Sequence, residues 1–143
     1  MKSLNPNKRP RWALIVRILF PLWNLIGLAS FTMQWMMTPT DIAKLPPDQQ
    51  ELWGNMAGWI WAAYAVAVGA GTLGAVGLLL AKKWAEPYFL ISMIAILIQF
   101  STPLIYALEN KLMALMIFPA FILAMAVIEW LCTRNWREKG WLS

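Results

Sequence analysis

The chain has 143 residues, of which 60% are hydrophobic and only 13% are charged. A soluble domain averages about 25% charged residues, so this composition excludes a water-facing surface over most of the chain. The net charge is +5, but the basic residues lie at the ends of apolar stretches, where they serve membrane topology, and we expect no nucleic-acid binding. One cysteine and no histidine exclude an internal disulfide and the usual haem, zinc and copper ligands, so we expect no metal and no cofactor.

Four long stretches without Asp, Glu, Lys or Arg predict four membrane-spanning helices. Each stretch matches or nearly matches the roughly 20 apolar residues that a helix needs to cross a bilayer. The predicted spans are residues 12–36, 56–81, 87–108 and 112–133. We therefore predict an all-α polytopic membrane protein, with residues 1–143 forming one four-transmembrane-helix bundle in contact with the lipid bilayer.

The first span follows four basic residues, an arrangement that also begins a signal peptide. Its apolar run continues to about Trp35, well beyond the roughly 7–15 residues of a signal hydrophobic region, and no small-residue cleavage motif follows it. We expect an uncleaved helix. Pro21 lies inside this helix and predicts a kink, because proline removes a backbone donor and frees the carbonyl group of Arg17.

The only long connection is the outer loop, residues 37–55. It contains a proline pair at 46–47, followed directly by acidic residues, a pattern that suits the start of a helix. We predict that residues 47–53 form the first turns of the second helix, above the membrane or in its interface. A binding loop or a gate is the functional alternative.

The second span carries small residues every four positions. Small residues at this interval allow two helix backbones to approach closely. They could seat another helix of the same bundle or a helix of a partner subunit. The residues are Ala63, Ala67, Gly71 and Ala75.

Polar residues recur at helical spacing on the first and third spans. Polar groups in hydrocarbon need partners, so both stripes should face the bundle interior, either for interhelical hydrogen bonds or as the wall of a solute pathway. On the first span the stripe is Arg17, Asn24, Gly27, Phe31 and Gln34. On the third it is Ser92, Ala95, Gln99, Thr102 and Tyr106.

Two further prolines, Pro103 and Pro119, lie inside the third and fourth spans. In an antiparallel hairpin that turns near Asn110 they fall at about the same depth. Two kinks at one level are expected to open a small cavity toward the outer face, near Gln99 and Tyr106. Prolines without any such purpose also occur in membrane helices.

Arg17 and Glu129 are the two charged residues inside predicted spans. A charge at the bilayer centre costs about 2.5–3.5 kcal/mol on insertion scales. Their predicted depths match, so an intramembrane ion pair is available as a structural clamp or as a proton- or substrate-handling pair. The other possibility is that Arg17 extends to the lipid headgroups.

The distribution of Lys and Arg predicts that both termini face the cytoplasm, because cytoplasmic flanks are enriched in these residues. Tryptophans, which favour headgroup depth, fall into the same two groups. The expected outer group is Trp35, Trp53, Trp59 and Trp61, and the expected inner group is Trp12, Trp84, Trp130, Trp136 and Trp141.

Three segments resemble a group of small four-span bacterial inner-membrane proteins of uncharacterised function, some automatically labelled "sugar transporter". The segments are Pro21–Gly27, Leu45–Gln50 and Ala81–Ala85, and the resemblance covers roughly residues 18–105. It implies a Gram-negative inner membrane, an unestablished activity and no particular site residues.

Apart from Arg17 and Glu129, the sequence shows no buried acid–base couple, no nucleophile with a base and no metal-ligand set. We therefore expect no enzyme and no catalytic residue. The preferred prediction is a small scaffold or accessory subunit, associated with itself or with a larger membrane complex. The alternative is a small-solute transporter or channel acting as an oligomer, with Asn24 and Gln99 along the path.

Overall fold

A computed structural model describes residues 9–54 and 56–143 of the chain. The helices are α1 (Arg11–Trp35), α2 (Pro39–Ile42), α3 (Pro47–Gly54), α4 (Gly58–Leu79), α5 (Ala85–Glu109) and α6 (Ala114–Glu138). Helices α1, α4, α5 and α6 are each long and apolar enough to cross a membrane. The predicted all-α, four-helix membrane bundle is confirmed.

The connection between α1 and α4 differs from the prediction in two ways. The residues from Pro47 form a separate helix, α3, rather than the beginning of α4, because the backbone at Ala57 is extended (ψ 152°) immediately before α4. The short helix α2 was not predicted. Thr38 caps it, and the Asp41 carboxylate accepts a hydrogen bond from the Thr38 backbone N–H in return, a reciprocal arrangement that the Thr-x-x-Asp spacing signals.

The four long helices surround a central space. Helix α1 packs on α4, α4 on α5, and α5 on α6. Helices α1 and α6 meet through long side chains, as where the rings of Trp23 and Phe121 lie 5.5 Å apart, centroid to centroid. Room therefore remains between α1 and α6 for cavities at the level of the membrane interior.

The small residues of α4 seat neighbouring helices of the same chain. Ala67 and Ala75 are buried, whereas Ala63 is only half-buried. A Cβ atom on Gly74 would lie 3.0 Å from the ring of Phe89 on α5. Gly74 therefore leaves the space that the Phe89 ring occupies, as small residues do at close helix contacts in membranes.

The two ends of the bundle are packed differently. The end at which α1 begins and α6 ends, called here the terminal end, contains a core formed by α1, α4, α5, α6 and the last residues of the chain. There the backbone N–H of Ser143 donates to the carbonyl of Ala81 at 2.8 Å, and Leu142 is buried. The opposite end, called here the loop end, carries α2 and α3 and contains the larger cavities. The terminal-end core consists of Ala13, Phe20, Ala75, Leu78, Ala81, Ala85, Phe89, Trp136 and Leu142.

Candidate functional site

A cavity of about 240 Å³ lies at the loop end of the bundle, where α3 covers α5 and α6. Gln99, Pro103 and Pro119 line its wall, together with Leu115. Proline at 103 and 119 leaves the carbonyls of Gln99 and Leu115 without their usual helical donors. The residues that line this loop-end cavity are Gln49, Leu52, Trp53, Met56, Ile60, Gln99, Phe100, Pro103, Leu115, Phe118 and Pro119.

Beside it, Tyr106 connects α5 to the covering helix α3. The Tyr106 hydroxyl donates to Oε2 of Glu51 at 2.6 Å. Thr102 does not face the bundle interior as predicted: it is exposed and borders a smaller recess with Glu51 and Tyr106. The recess lies between α3, the start of α4 and α5, so Thr102 faces an opening rather than a packed helix interface.

A second cavity, of about 170 Å³, lies in the middle of the bundle between α1, α4, α5 and α6. Its walls carry Gln99, Phe100 and Phe118, which also line the loop-end cavity. The two cavities therefore adjoin at these three side chains. The mid-bundle cavity is lined by Trp23, Asn24, Ile26, Gly27, Ser30, Gln34, Tyr64, Ala67, Val68, Ser92, Ile96, Gln99, Phe100, Phe118 and Ile122.

Asn24 lies on the cavity wall and donates hydrogen bonds to Glu129, which does not line the cavity. Its Nδ2 group donates to the Phe20 carbonyl at 2.9 Å and to both Glu129 carboxylate oxygens at 3.1 Å. Glu129 is 3% exposed, so the Asn24 amide stands between this carboxyl group and the cavity. The contact fixes α1 against α6 near the middle of both helices.

The predicted ion pair between Arg17 and Glu129 does not form. The Arg17 guanidinium instead donates from Nε to the carbonyl of Leu78 at 3.2 Å and from a terminal nitrogen to the carbonyl of Leu79. These carbonyls belong to the last turn of α4, where helical donors are missing and the helix dipole favours a cation. Arg17 is thus a cap for α4.

Close packing fixes the position of Asn24 from the α4 side. A Cβ atom on Gly71 would overlap Oδ1 of Asn24 and lie 3.1 Å from Oγ of Ser92. The Ser92 hydroxyl itself donates to the carbonyl of Ala67 at 2.7 Å. Asn24, Gly71 and Ser92 therefore form one packed contact among α1, α4 and α5.

Gln34 and Gln99 also line the mid-bundle cavity, and their amides remain available. Among the described residues, Oε1 of Gln34 is buried without a hydrogen-bond partner. Gln99 is buried, at 7% exposure, at the junction of the two cavities. The sequence pattern thus placed Asn24, Gln34, Ser92 and Gln99 in one cavity wall.

Sequence reasoning missed an ion pair at the terminal end. Arg137 Nη1 lies 2.7 Å from Oε2 of Glu86, joining the end of α6 to the start of α5. Both residues lie outside the predicted spans, 87–108 and 112–133. The signal in the sequence for this ion pair is that two opposite charges lie in flanks on the same side of the membrane.

The arrangement offers hydrogen bonding within a mostly apolar cavity. Within residues 9–54 and 56–143, no group of three or more His, Cys, Asp or Glu side chains is positioned to hold a metal ion. Outside the spans, hydrogen bonds from the hydroxyl and then the backbone N–H of Thr38 lower the pKa of Asp41.

The fold and these cavities define a class of protein, a multi-pass membrane protein formed by four apolar helices. The chain matches no protein-family model, no curated protein and no solved structure.

Proposed function

We propose that this chain provides a passage through the membrane for a small solute. The observation that carries the proposal is that the loop-end cavity and the mid-bundle cavity adjoin, with Gln99, Phe100 and Phe118 in the walls of both. Mostly apolar cavities with a few convergent polar groups are typical of small-molecule sites. The packed core at the terminal end would close the passage there.

Uptake into vesicles containing only this protein tests the proposal. Purified protein is reconstituted into liposomes, and entry of labelled uncharged, cationic and anionic small solutes is compared with that into protein-free liposomes. At least one solute is expected to enter faster with protein. Equal rates for the whole panel would refute the proposal.

Gln99→Trp provides the informative variant, because an indole at the cavity junction should block the passage. Leu97→Trp is its matched control: Leu97 lies on the same helix and is half exposed on the lipid-facing side, at 50%. The first variant should abolish the added uptake and the second should retain it. Equal uptake by both variants would place the path elsewhere.

The accessory-subunit hypothesis has its own support in the exposed faces of α1 and α6. Large apolar side chains cover these faces, among them Leu22, Leu25 and Ile117, and either lipid or a partner helix could contact them. Stable co-purification with a larger complex in mild detergent, with no uptake by the isolated chain, would favour this second function. We propose in either case a bacterial inner membrane and cytoplasmic termini, which the basic terminal end supports.

A further inference from the structure

We infer that the mid-bundle cavity binds an uncharged molecule of about one ring in size that carries a hydrogen-bond donor. This inference deepens the proposed function and rests on it for the ligand's passage, but binding can be measured separately. The charge, hydrogen-bonding capacity and size of the cavity select such a ligand.

Charge is the first criterion. Among the described residues, the polar side chains on the wall are Asn24, Ser30, Gln34, Tyr64, Ser92 and Gln99, all uncharged types. An ion that entered would lose its hydration without a counter-ion, at a cost of several kcal/mol. Glu129 is the carboxyl group behind this wall, and the Asn24 amide separates it from the cavity. The site therefore favours an uncharged ligand.

Hydrogen bonding is the second criterion. The Ser92 hydroxyl is already used by the Ala67 carbonyl, and the Asn24 amide by Phe20 and Glu129. Oε1 of Gln34 is buried and unpaired within the described part of the chain, and Gln34 lines both this cavity and a recess of about 290 Å³ beside Trp35 and Trp61. An unpaired buried acceptor costs about 1–3 kcal/mol, which a ligand hydroxyl or N–H group in the mid-bundle cavity would recover once the Gln34 amide turns toward it.

Size and shape are the third criterion. The cavity volume is about 170 Å³, close to the roughly 150 Å³ of an engineered apolar cavity that binds benzene. Trp23, Tyr64, Phe100 and Phe118 contribute aromatic walls, against which a flat ring can stack or pack edge-on. A single ring with one donor group fits all three criteria.

Four probes of similar size test the inference: benzyl alcohol, ethylbenzene, benzylammonium and benzoate. Their binding to protein in nanodiscs is titrated by ligand-observed NMR, with the signal from empty nanodiscs subtracted. Benzyl alcohol should bind about five-fold more tightly than ethylbenzene, the worth of one net hydrogen bond, and at least tenfold more tightly than either ion.

Gln34→Leu should remove the preference for the alcohol over ethylbenzene. Gln49→Leu is the matched control, because Gln49 lines only the loop-end cavity of these two, and it should keep the preference. The four-probe comparison on the unaltered protein remains decisive if Gln34→Leu does not fold.

The inference is overturned if either ion binds as tightly as the alcohol, if no probe exceeds the empty-nanodisc signal, or if Gln34→Leu retains the preference. Binding with the expected selectivity but no solute uptake in liposomes would refute the passage and leave the site intact. Uptake without any probe binding would refute the site alone.

Discussion

Asn24 is the residue through which α1 reaches the buried carboxyl group on α6. Its amide donates to Glu129 and to the Phe20 carbonyl, whereas Arg17, two turns earlier, contacts the end of α4. Arg17 and Glu129 have matching depths in the sequence but different partners in the structure. Depth alone therefore did not identify which helix faces each charge.

Double-mutant cycles should show that Glu129 is coupled to Asn24 and not to Arg17. Asn24→Leu and Glu129→Leu are expected to be strongly non-additive, with a coupling of about 0.5–3 kcal/mol, because either single change leaves a buried polar group unpaired. Arg17→Ala and Glu129→Leu should add to within about 0.5 kcal/mol. Unfolding of the detergent-solubilised protein by a denaturing detergent measures both cycles. Strong coupling in the second cycle would instead support an ion pair between Arg17 and Glu129.

Gly71 determines whether Asn24 can occupy its position. Gly71→Ala should destabilise the protein by about 1–3 kcal/mol, the usual cost of overpacking, because the added methyl group displaces an amide held by three acceptors. Gly69→Ala is the control on the same helix, since a Cβ atom there meets nothing within 4 Å. Thermal unfolding should show a loss for the first variant and no loss for the second. Similar transition temperatures would contradict the packing argument.

At the scale of the helix, three of the long helices end in the same way. After α4, α5 and α6 the chain turns through a residue of positive φ: Ala81 (56°), Lys111 (54°) and Gly140 (71°). In each case the following N–H bonds back to the carbonyl five residues earlier, as where Trp141 donates to Trp136 at 2.9 Å. This is the Schellman arrangement, which prefers glycine at the positive-φ position.

Lys111→Gly should therefore stabilise the hairpin of α5 and α6. A left-handed conformation costs a non-glycine residue roughly 1–2 kcal/mol, and glycine's greater freedom in the unfolded chain offsets part of the gain, so about 1 kcal/mol is expected. Lys111→Ala is the control, because it removes the charge but keeps the strain. If alanine raises the unfolding midpoint as much as glycine, the charge and not the backbone is responsible.

The short helix α2 should depend on pH through Asp41. The hydrogen bonds from Thr38 lower the pKa of Asp41 below its ordinary value of about 3.9. A lowered pKa stabilises the folded turn above that ordinary value, and the stabilisation is lost as the pH falls through the lowered folded value.

NMR titration of the Asp41 carboxyl group in micelles measures this effect. In Thr38→Val the hydroxyl donor is absent, so the Asp41 midpoint should rise toward the ordinary value. The Thr38 amide shift should follow the same titration in the unaltered protein. An unchanged Asp41 midpoint in the variant would assign the lowered pKa to another group.

At the scale of the whole molecule, packing is asymmetric along the bundle. The terminal end is closed by a core that includes Trp136 and Leu142, whereas the loop end holds the cavities beneath α3. The basic residues are also distributed asymmetrically between the two ends. Arg9, Arg11, Lys82, Lys83, Arg134, Arg137 and Lys139 lie at the terminal end, and Lys44 and Lys111 lie at the loop end.

This asymmetry predicts the membrane orientation. An enzyme reporter fused after Ser143 should be active on the cytoplasmic side, because short basic flanks stay there. A cysteine introduced as Lys44→Cys should react with a membrane-impermeant thiol reagent from outside intact cells. Activity of the fused reporter only on the external face would invert both the orientation and the face from which the cavities open.

The sequence by itself determined the fold class and the number of long helices, and it predicted that Asn24 and Gln99 face the bundle interior. It did not single out Ser30 and Tyr64, which also line the mid-bundle cavity. Hydropathy is a local property, and a helix in hydrocarbon must satisfy its own backbone hydrogen bonds, so long apolar stretches predict helices reliably. Spacing along one helix likewise predicts that Asn24 and Gln34 lie on one side of α1, and that Ser92 and Gln99 lie on one side of α5. The Thr-x-x-Asp cap of α2 was equally local and was overlooked.

Only the tertiary structure decided which helices meet and therefore which side chains become partners. Rotation of each helix about its axis is set by packing, here by Gly71 and Gly74 of α4 against Asn24 and Phe89. That rotation sends Arg17 to the end of α4 and leaves Glu129 to Asn24. It also leaves Thr102 exposed and puts Gln99 in the walls of both cavities. Contacts between distant segments depend on three-dimensional packing that no single stretch of sequence contains.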